Sequence, residues 1–406
     1  MKNIPTYVAK TIKTLENAGF EAYIVGGSVR DMLQGLTPKD FDITTSALPS
    51  DVKRLFPKTV DIGIKHGTVS VIAKGGKIEV TTFRIDGDYV NHRKPKTVDF
   101  TSDIYEDLSR RDFTINAIAH NPSKGFLDPH GGIEDINIKL IRCVGSAERR
   151  FGEDALRMLR AVRFAATLGF KVDDEICSAL RKHRDKLNAV SAERICEEFT
   201  KLVLGSYPEA FYILDKTGFF PYVLRGGSFT YHSTDLQKNA GTQMPVLVER
   251  MKKCPADIHM RLALMFDCIC KNYEDVLCSL KFDNRTKKIV SIYMSNMHVP
   301  IGCTKYEIKK TLRHVPDTLF DNLLVLKQIT GAGEPQDTIM RLKNEIIQTG
   351  ECYKMEHLAV KGNDLMKNGI KPGPGMGTLL EELLDLVIKN PELNEKEKLL
   401  KFIPGC

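Results

Sequence analysis

The chain has 406 residues, 42% of them apolar, which excludes a disordered polypeptide and leaves room for two to four packed units. Its formal charge of +7 suits a polyanion such as RNA, and equally an ordinary, slightly basic surface. No apolar run is long enough to span a bilayer, Met1 to Lys13 lacks a signal-peptide core, and the ten scattered cysteines give no zinc motif, since Cys268 and Cys270 lack a second pair; a cytoplasmic protein with reduced thiols is the expectation.

The first third mixes helix and strand signals. The spacing predicts an amphipathic helix over Ile4 to Ala18, stopped by Gly19, then a short apolar strand over Ala22 to Val25. Gly26-Gly27-Ser28-Val29-Arg30-Asp31 follows as a glycine turn, with Ser28 as N-cap of a helix ending near Gly35. Phe41 to Thr44 reads as a strand and Pro49 to Phe56 as a helix. Thr68 to Ala73 and Ile78 to Arg84 flank Gly75-Gly76 as a β-hairpin. Asp86 to Phe100 is polar and aperiodic, a long loop of the kind that carries function. After about residue 140 strand signals nearly vanish. Glu153 to Leu168, Asp174 to Arg184 and Ala192 to Leu204 have helical periodicity. Short helices broken by Gly and Pro continue to the end, with a polar connection at Gly226 to Gly241 and a sharp turn at Lys371-Pro372-Gly373-Pro374-Gly375. The fold class is α+β: an N-terminal head of mixed β-sheet and helices, then an all-α remainder.

Three constellations carry chemistry. In Asp40-Phe41-Asp42 two acids one residue apart on a strand share a face, and they repel unless a cation sits between them. Mg²⁺ prefers such hard oxygen ligands; one ion activates an attacking hydroxyl and another bridges nucleotide phosphates. Glu79, in Lys77-Ile78-Glu79-Val80, is the candidate third acid on a neighbouring strand. By itself the motif is equally a solvated pair of turn acids. The upstream glycine turn frees backbone N–H groups at a helix start, where a phosphate docks. Arg30 can clamp a triphosphate oxygen, with Asp31 orienting it.

The second constellation is Asp107-Leu108-Ser109-Arg110-Arg111-Asp112-Phe113-Thr114-Ile115-Asn116-Ala117. Arg111 is a second phosphate cation. Asp112 and Asn116, four apart, are expected on one helix face within reach of ribose hydroxyls. A capped helix with a charged first turn accounts for Asp107 and Arg110 just as well. The third runs from Glu153-Asp154 through Arg157 and Arg160 to Arg163-Phe164. Acids followed by Arg at i+3 and i+4 are routine surface pairs. Cytosine and adenine, however, present an amino donor beside a ring-nitrogen acceptor, while guanine and uracil reverse the order. An Asp154 acceptor beside an Arg157 donor matches C and A. Each i+3 step drifts about 60°, which places Arg163 well off the face of Asp154.

Together these motifs resemble the bacterial class II CCA-adding enzymes, tRNA nucleotidyltransferases of the DNA polymerase β-like superfamily. The likeness covers nearly the whole chain: Gly26 to Asp31, Asp40 to Asp42, Arg110 to Ala117, Asp128-Pro129-His130-Gly131-Gly132, Glu153-Asp154 to Arg163, and Leu358 to Gly362 through Gly375. It implies a curved molecule with a nucleotidyltransferase head (1–147), a base-recognising neck (148–205), a helical body (206–285) and a tRNA-binding helical tail (286–406). The family's metal ligands map to Asp40 and Asp42, with Glu79 as third catalytic acid. Its nucleotide contacts map to Gly27, Arg30, Arg111, Asp154, Arg157, Arg160 and Arg163. The implied reaction adds C, C and A to the 3′ end of tRNA from CTP and ATP with Mg²⁺ and no nucleic-acid template, the stretch near Asp86 to Phe100 serving as the family's flexible loop.

Poly(A) polymerases share the head and neck, yet Gly63-Ile64-Lys65-His66-Gly67-Thr68 looks like the CCA adders; an A-only enzyme stays open. A non-catalytic RNA-binding protein is disfavoured by the intact acid pair. Some relatives carry a phosphohydrolase His-Asp pair, but His is missing before Asp267, so no such activity is expected. The expected partners are tRNA, CTP and ATP, with no membrane, and a homodimer is an assembly left to test.

Overall fold

A computed structural model describes residues 4–87, 89–90, 94–95, 98–227, 243–332 and 335–403. Pro5 precedes α1 (Thr6–Asn17), which buries Val8, Ile12 and Leu15 on one face. β1 (Ala22–Val25) is buried along its whole length. Gly26 takes φ +73°, and this lets α2 (Gly27–Leu33) start directly after the strand. Ser28 is not the N-cap expected of it: it sits inside the first turn and its hydroxyl donates back to the Val25 carbonyl at 3.0 Å.

The chain continues through β2 (Asp42–Thr45), α3 (Pro49–Leu55), β3 (Thr59–Gly63), and the expected hairpin of β4 (Thr68–Ala73) and β5 (Gly76–Thr82). After α4 (Ile104–Ser109) come β6 (Ala119–Asn121), β7 (Gly125–Leu127) and α5 (Gly132–Asn137). The seven strands form one sheet in the order β7-β6-β1-β2-β5-β4-β3. β2 and β5 run parallel, and β1 is antiparallel to both β2 and β6. Ile24, Ile43, Val69 and Val80 are fully buried in it.

The stretch Asp86 to Phe100 is not the aperiodic loop its composition predicts. Arg84–Asp86 pairs antiparallel with Val98–Phe100, and Tyr89–Val90 with Lys94–Pro95. Ile85 and Phe100 are exposed, while the inward side chains Arg84 and Asp86 are charged and pair with each other at 3.3 Å, so nothing imposes an apolar alternation on Arg84–Asp86 and Val98–Phe100. Residues 88, 91–93 and 96–97 of that stretch lie outside the described residues, as do 228–241 of the polar connection expected at Gly226 to Gly241.

The next helices are α6 (Ala147–Glu153), α7 (Leu156–Leu168), α8 (Asp174–His183) and α9 (Ala192–Val203). The helix expected to start at Glu153 starts at Leu156 instead: Glu153 ends α6, and Asp154 between them is extended at φ −138°, ψ 107°. α7 packs against α9.

The chain divides into two compact units, Met1–Val248 with Ile269–Phe282, and Glu249–Cys268 with Asp283–Cys406. The second unit is helical. Its larger core gathers Tyr293, Ile308, Phe320 and Leu323; a smaller one forms around Leu383, Leu384 and Val387 of helix Pro374–Lys389, which starts at the expected Gly-Pro turn. In this unit Asp267 meets His298 Nε2 at 2.6 Å and Arg250 at 2.7 Å, so its histidine partner comes from far along the chain. Among the described residues no helix is long and apolar enough to cross a membrane.

Candidate active site

The acid pair is built by the sheet. Asp42 opens β2, opposite Val25 of β1 on one side and Glu79 of β5 on the other. Glu79 therefore lies on the neighbouring strand as expected. Asp40 precedes the strand rather than belonging to it; Phe41 is buried between the two acids and both of them stay exposed. Burial of much of its surroundings, then Glu79 and Asp40, raise the Asp42 pKa, while Arg111 opposes the shift; the side chain keeps a solvent-facing edge. Carboxylates set this near one another offer an all-oxygen donor set of the kind a divalent ion takes. Among the described residues no three His, Cys, Asp or Glu are gathered where they could hold a metal ion together, so Asp40, Asp42 and Glu79 do not converge on one point here.

Beside it lie two guanidinium groups packed against the glycine turn. A Cβ on Gly27 would come within 3.4 Å of Arg30 Nη2, and one on Gly26 within 3.6 Å of Arg111 Nη1. Arg30 is held rigidly: Nε and Nη2 donate to Asp31 Oδ1 at 3.1 and 2.8 Å, and Nη1 to Asn116 Oδ1 at 2.8 Å. Asp31 thus orients Arg30. Arg110 and Arg111 both pair with Asp107, at 2.6 and 3.0 Å. Burial pushes the Asp107 carboxyl up, but Arg111 and Arg110 outweigh it and hold it below the usual carboxylate range.

Asp112 and Asn116 do not share a helix face. Phe113 is extended and Thr114–Asn116 is a single 3₁₀ turn. The two side chains still meet, Asn116 Nδ2 donating to Asp112 Oδ1 at 3.2 Å. The Asp128-Pro129-His130-Gly131-Gly132 motif shapes this turn. Asp128 accepts from the Gly132 and Ile133 N–H groups, both at 2.8 Å, and Gly132 is pressed so close that a Cβ would fall 2.2 Å from the Thr114 carbonyl oxygen. Arg160 clamps Asp112 through Nε at 2.8 Å and Nη2 at 2.7 Å. Burial would raise that carboxyl; Arg160 and Arg157 prevail and lower it to about 2.

Asp154 and Arg157 are brought together by the break between α6 and α7, not by a helical repeat. Arg157 pairs with Glu153 at 2.5 Å and donates to the Arg110 carbonyl at 3.2 Å. Asp154 pairs with Arg194 at 2.6 Å. Arg160 reaches Glu198 at 3.3 Å and Arg163 reaches it at 2.8 Å, the Arg163 guanidinium lying 3.6 Å from the Phe164 ring centre. A cavity of about 630 Å³ is walled by Gly27, Arg30, Asp42, Arg111, Asp112 and Asn116 on the sheet side, and by Asp154, Arg157, Arg160 and Arg163 on the helical side. Arg163 lines the cavity with Asp154, against the displacement expected from a continuous helix. The break resets the count, and Arg160 and Arg163 sit one i+3 step apart on α7. Arg194, Glu197 and Glu198 also line it and were not foreseen. Their only sequence trace is charge on an amphipathic helix, which reads as a solvated face. A second cavity of about 210 Å³ shares Asp42 and Arg111 and adds Glu79 and Thr81.

Comparison with known proteins gives the family. Residues 22–142 match the Poly A polymerase head domain, residues 169–228 the "Probable RNA and SrmB-binding site of polymerase A", and residues 256–403 tRNA nucleotidyltransferase domain 2. The CCA-adding enzyme of Leuconostoc mesenteroides is 38% identical over 96% of this chain and 93% of its own. That of Staphylococcus aureus is 34% identical, covering 97% and 96%. The solved structure of the Bacillus stearothermophilus CCA-adding enzyme in complex with CTP superposes with a TM-score of 0.80 at 31% identity, over 99% of this chain and 98% of that one. The chain belongs to the CCA-adding enzymes, the tRNA nucleotidyltransferases of the polymerase β-like superfamily.

Proposed function

We propose that the protein adds C, C and A in turn to the 3′ end of tRNA, from CTP and ATP, without a nucleic-acid template. The observation that carries this reading is Asp42, in register with Glu79, lining a cavity whose other wall holds Asp154 and Arg157. The likeness to a relative solved with CTP supports it. Asp40 and Asp42, with Glu79 as third acid, hold divalent ions, and their hard oxygen donors select Mg²⁺. Bound there, such ions supply charge neutralisation and activation of the attacking hydroxyl. Arg30 and Arg111 bind the triphosphate, and Gly27 leaves room for it to approach the backbone. Asp112 and Asn116 face the ribose hydroxyls. The tRNA 3′ oxygen forms a bond to the α-phosphorus while the bond to the β-phosphate oxygen breaks, and diphosphate leaves. Asp154 accepts the amino N–H of C or A, and Arg157 donates to the adjacent ring nitrogen. Arg160 and Arg163, tied through Glu198, keep that wall in place.

In this reading residues 1–147 are the catalytic head, 148–205 the neck that reads the base, 206–285 a helical body and 286–406 the tail that binds tRNA. Binding rests on phosphate contacts and weakens with salt. The test is incubation with tRNA trimmed of its CCA and each nucleotide separately. CTP alone should add two residues, and CTP with ATP three and then stop. A long A tail would instead make the protein a poly(A) polymerase, and addition of A alone onto a CC end an A-only enzyme. Sedimentation of the same preparation settles whether it is a homodimer.

A further inference from the structure

Asp154 stands at a break between two helices, its N–H donating to the Arg150 carbonyl at 3.2 Å and its carbonyl accepting from the Arg157 N–H at 3.0 Å, so what remains to be set is the turn of its carboxylate. Its carboxylate has four lone-pair positions. Oδ1 accepts from the Leu156 N–H at 3.1 Å and from Arg194 Nη1 at 3.3 Å. Oδ2 accepts from Arg194 Nη2 at 2.6 Å. Among the described residues this leaves one acceptor position, on Oδ2. Arg194 comes from the first turn of α9, a different element, and lines the same cavity as Asp154.

We infer that Arg194 is a specificity-determining positioning residue: its two-pronged pairing turns the Asp154 carboxylate so that a single acceptor position meets the incoming base. This rests on the reading of Asp154 as the base contact. One fixed acceptor matches the one amino N–H that C and A direct at the protein. Released from Arg194, the carboxylate rotates about its last torsion and offers acceptors across its whole edge. It then also satisfies the ring N–H of U or G, and rejection of those bases falls. A planar fork is needed for this, since an ammonium binds as a point charge and leaves the rotation free.

The experiment measures kcat and KM for CTP, ATP, UTP and GTP on trimmed tRNA with wild type, Asp154→Ala, Arg194→Met, Arg194→Lys and the double variant Asp154→Ala/Arg194→Met. Arg194→Met should lower the CTP-to-UTP ratio of kcat/KM roughly tenfold or more, with most of the change in KM. Arg194→Lys should recover little of the ratio, and the double variant should discriminate no worse than Asp154→Ala. If Asp154→Ala loses discrimination while Arg194→Met and Arg194→Lys keep it in full, the inference is overturned and the base-contact reading stands. If Asp154→Ala itself keeps full discrimination, the base-contact reading fails and takes the inference with it. Thermal melts accompany each variant. Should Arg194→Met not fold, Arg194→Lys decides: a wild-type ratio overturns the inference and a collapsed one supports it.

Discussion

Asp42 and Glu79 stand side by side on two parallel strands, in direct register, and together line the smaller cavity, while Asp42 alone of the two also lines the larger one. Holding two carboxylates there has a thermodynamic consequence that can be measured. The Asp42 pKa is raised by burial first, then by Glu79 and Asp40. A carboxyl raised in the folded state takes up protons on folding, so the metal-free protein loses stability as pH climbs from the ordinary carboxylate range through that raised value. Asp42→Asn should therefore melt higher than wild type at pH 7 without divalent ions. Added Mg²⁺ should raise the wild-type Tm and leave the variant unmoved, and nucleotide incorporation by the variant should fall about a hundredfold or more. A variant that melts lower than wild type in the metal-free state would contradict this account.

Asp112 behaves oppositely. With its carboxyl lowered to about 2, mainly against burial by Arg160 and Arg157, it stabilises the fold at any pH above the ordinary carboxylate range. That contribution, on the order of 2 kcal/mol, drains away as pH falls from about 4 to about 2. Asp112→Asn should flatten the acid limb of the stability curve. Urea melts at pH 3 and pH 6 should show a smaller difference for the variant than for wild type.

Gly132→Ala places a methyl group against the Thr114 carbonyl oxygen, which as backbone cannot step aside. The expected cost is about 1–3 kcal/mol. Because the displaced turn carries Asn116, the partner of Arg30, incorporation should fall even where the protein stays folded. Gly131→Ala, whose added Cβ meets nothing within 4 Å, is the control: it strains a φ of +71° and should cost about 1 kcal/mol, with activity kept. Equal activity losses in the two variants would speak against transmission through the turn.

Glu198 is buried and joins Arg160 to Arg163. Truncating one member of such a group leaves buried charge uncompensated, a loss of about 3 kcal/mol. Glu198→Ala should raise KM for both CTP and ATP more than it lowers kcat, because the wall moves while the acids on β2 and β5 do not. Steady-state kinetics check this; a loss confined to kcat would place Glu198 elsewhere in the mechanism.

Legibility followed the physics of each signal. Strands β1, β2, β4 and β5 announce themselves because buried apolar residues set their pattern, and the Asp42–Glu79 juxtaposition followed from placing two acids on neighbouring strands. The ribbon at Arg84–Asp86 and Val98–Phe100 was hidden because its inward side chains, Arg84 and Asp86, are charged and its apolar Ile85 and Phe100 face solvent. The break at Asp154 was hidden for the reverse reason: residues on both sides keep a helical apolar rhythm, and nothing in the composition of Gly152-Glu153-Asp154-Ala155 demands an extended residue. Arg194 and Glu198 escaped because a charge on an amphipathic helix looks the same whether it meets water or a carboxylate.

The ion pairs across the cavity also impose an order of assembly. Asp112 waits for Arg160, 48 residues later, and Arg160 waits for Glu198, a further 38 residues on. During synthesis the acidic rim therefore leaves the ribosome well before the cationic wall that faces it. On the reading proposed above, a nascent chain holds the acids before the surface that tells one base from another, so selectivity arrives last.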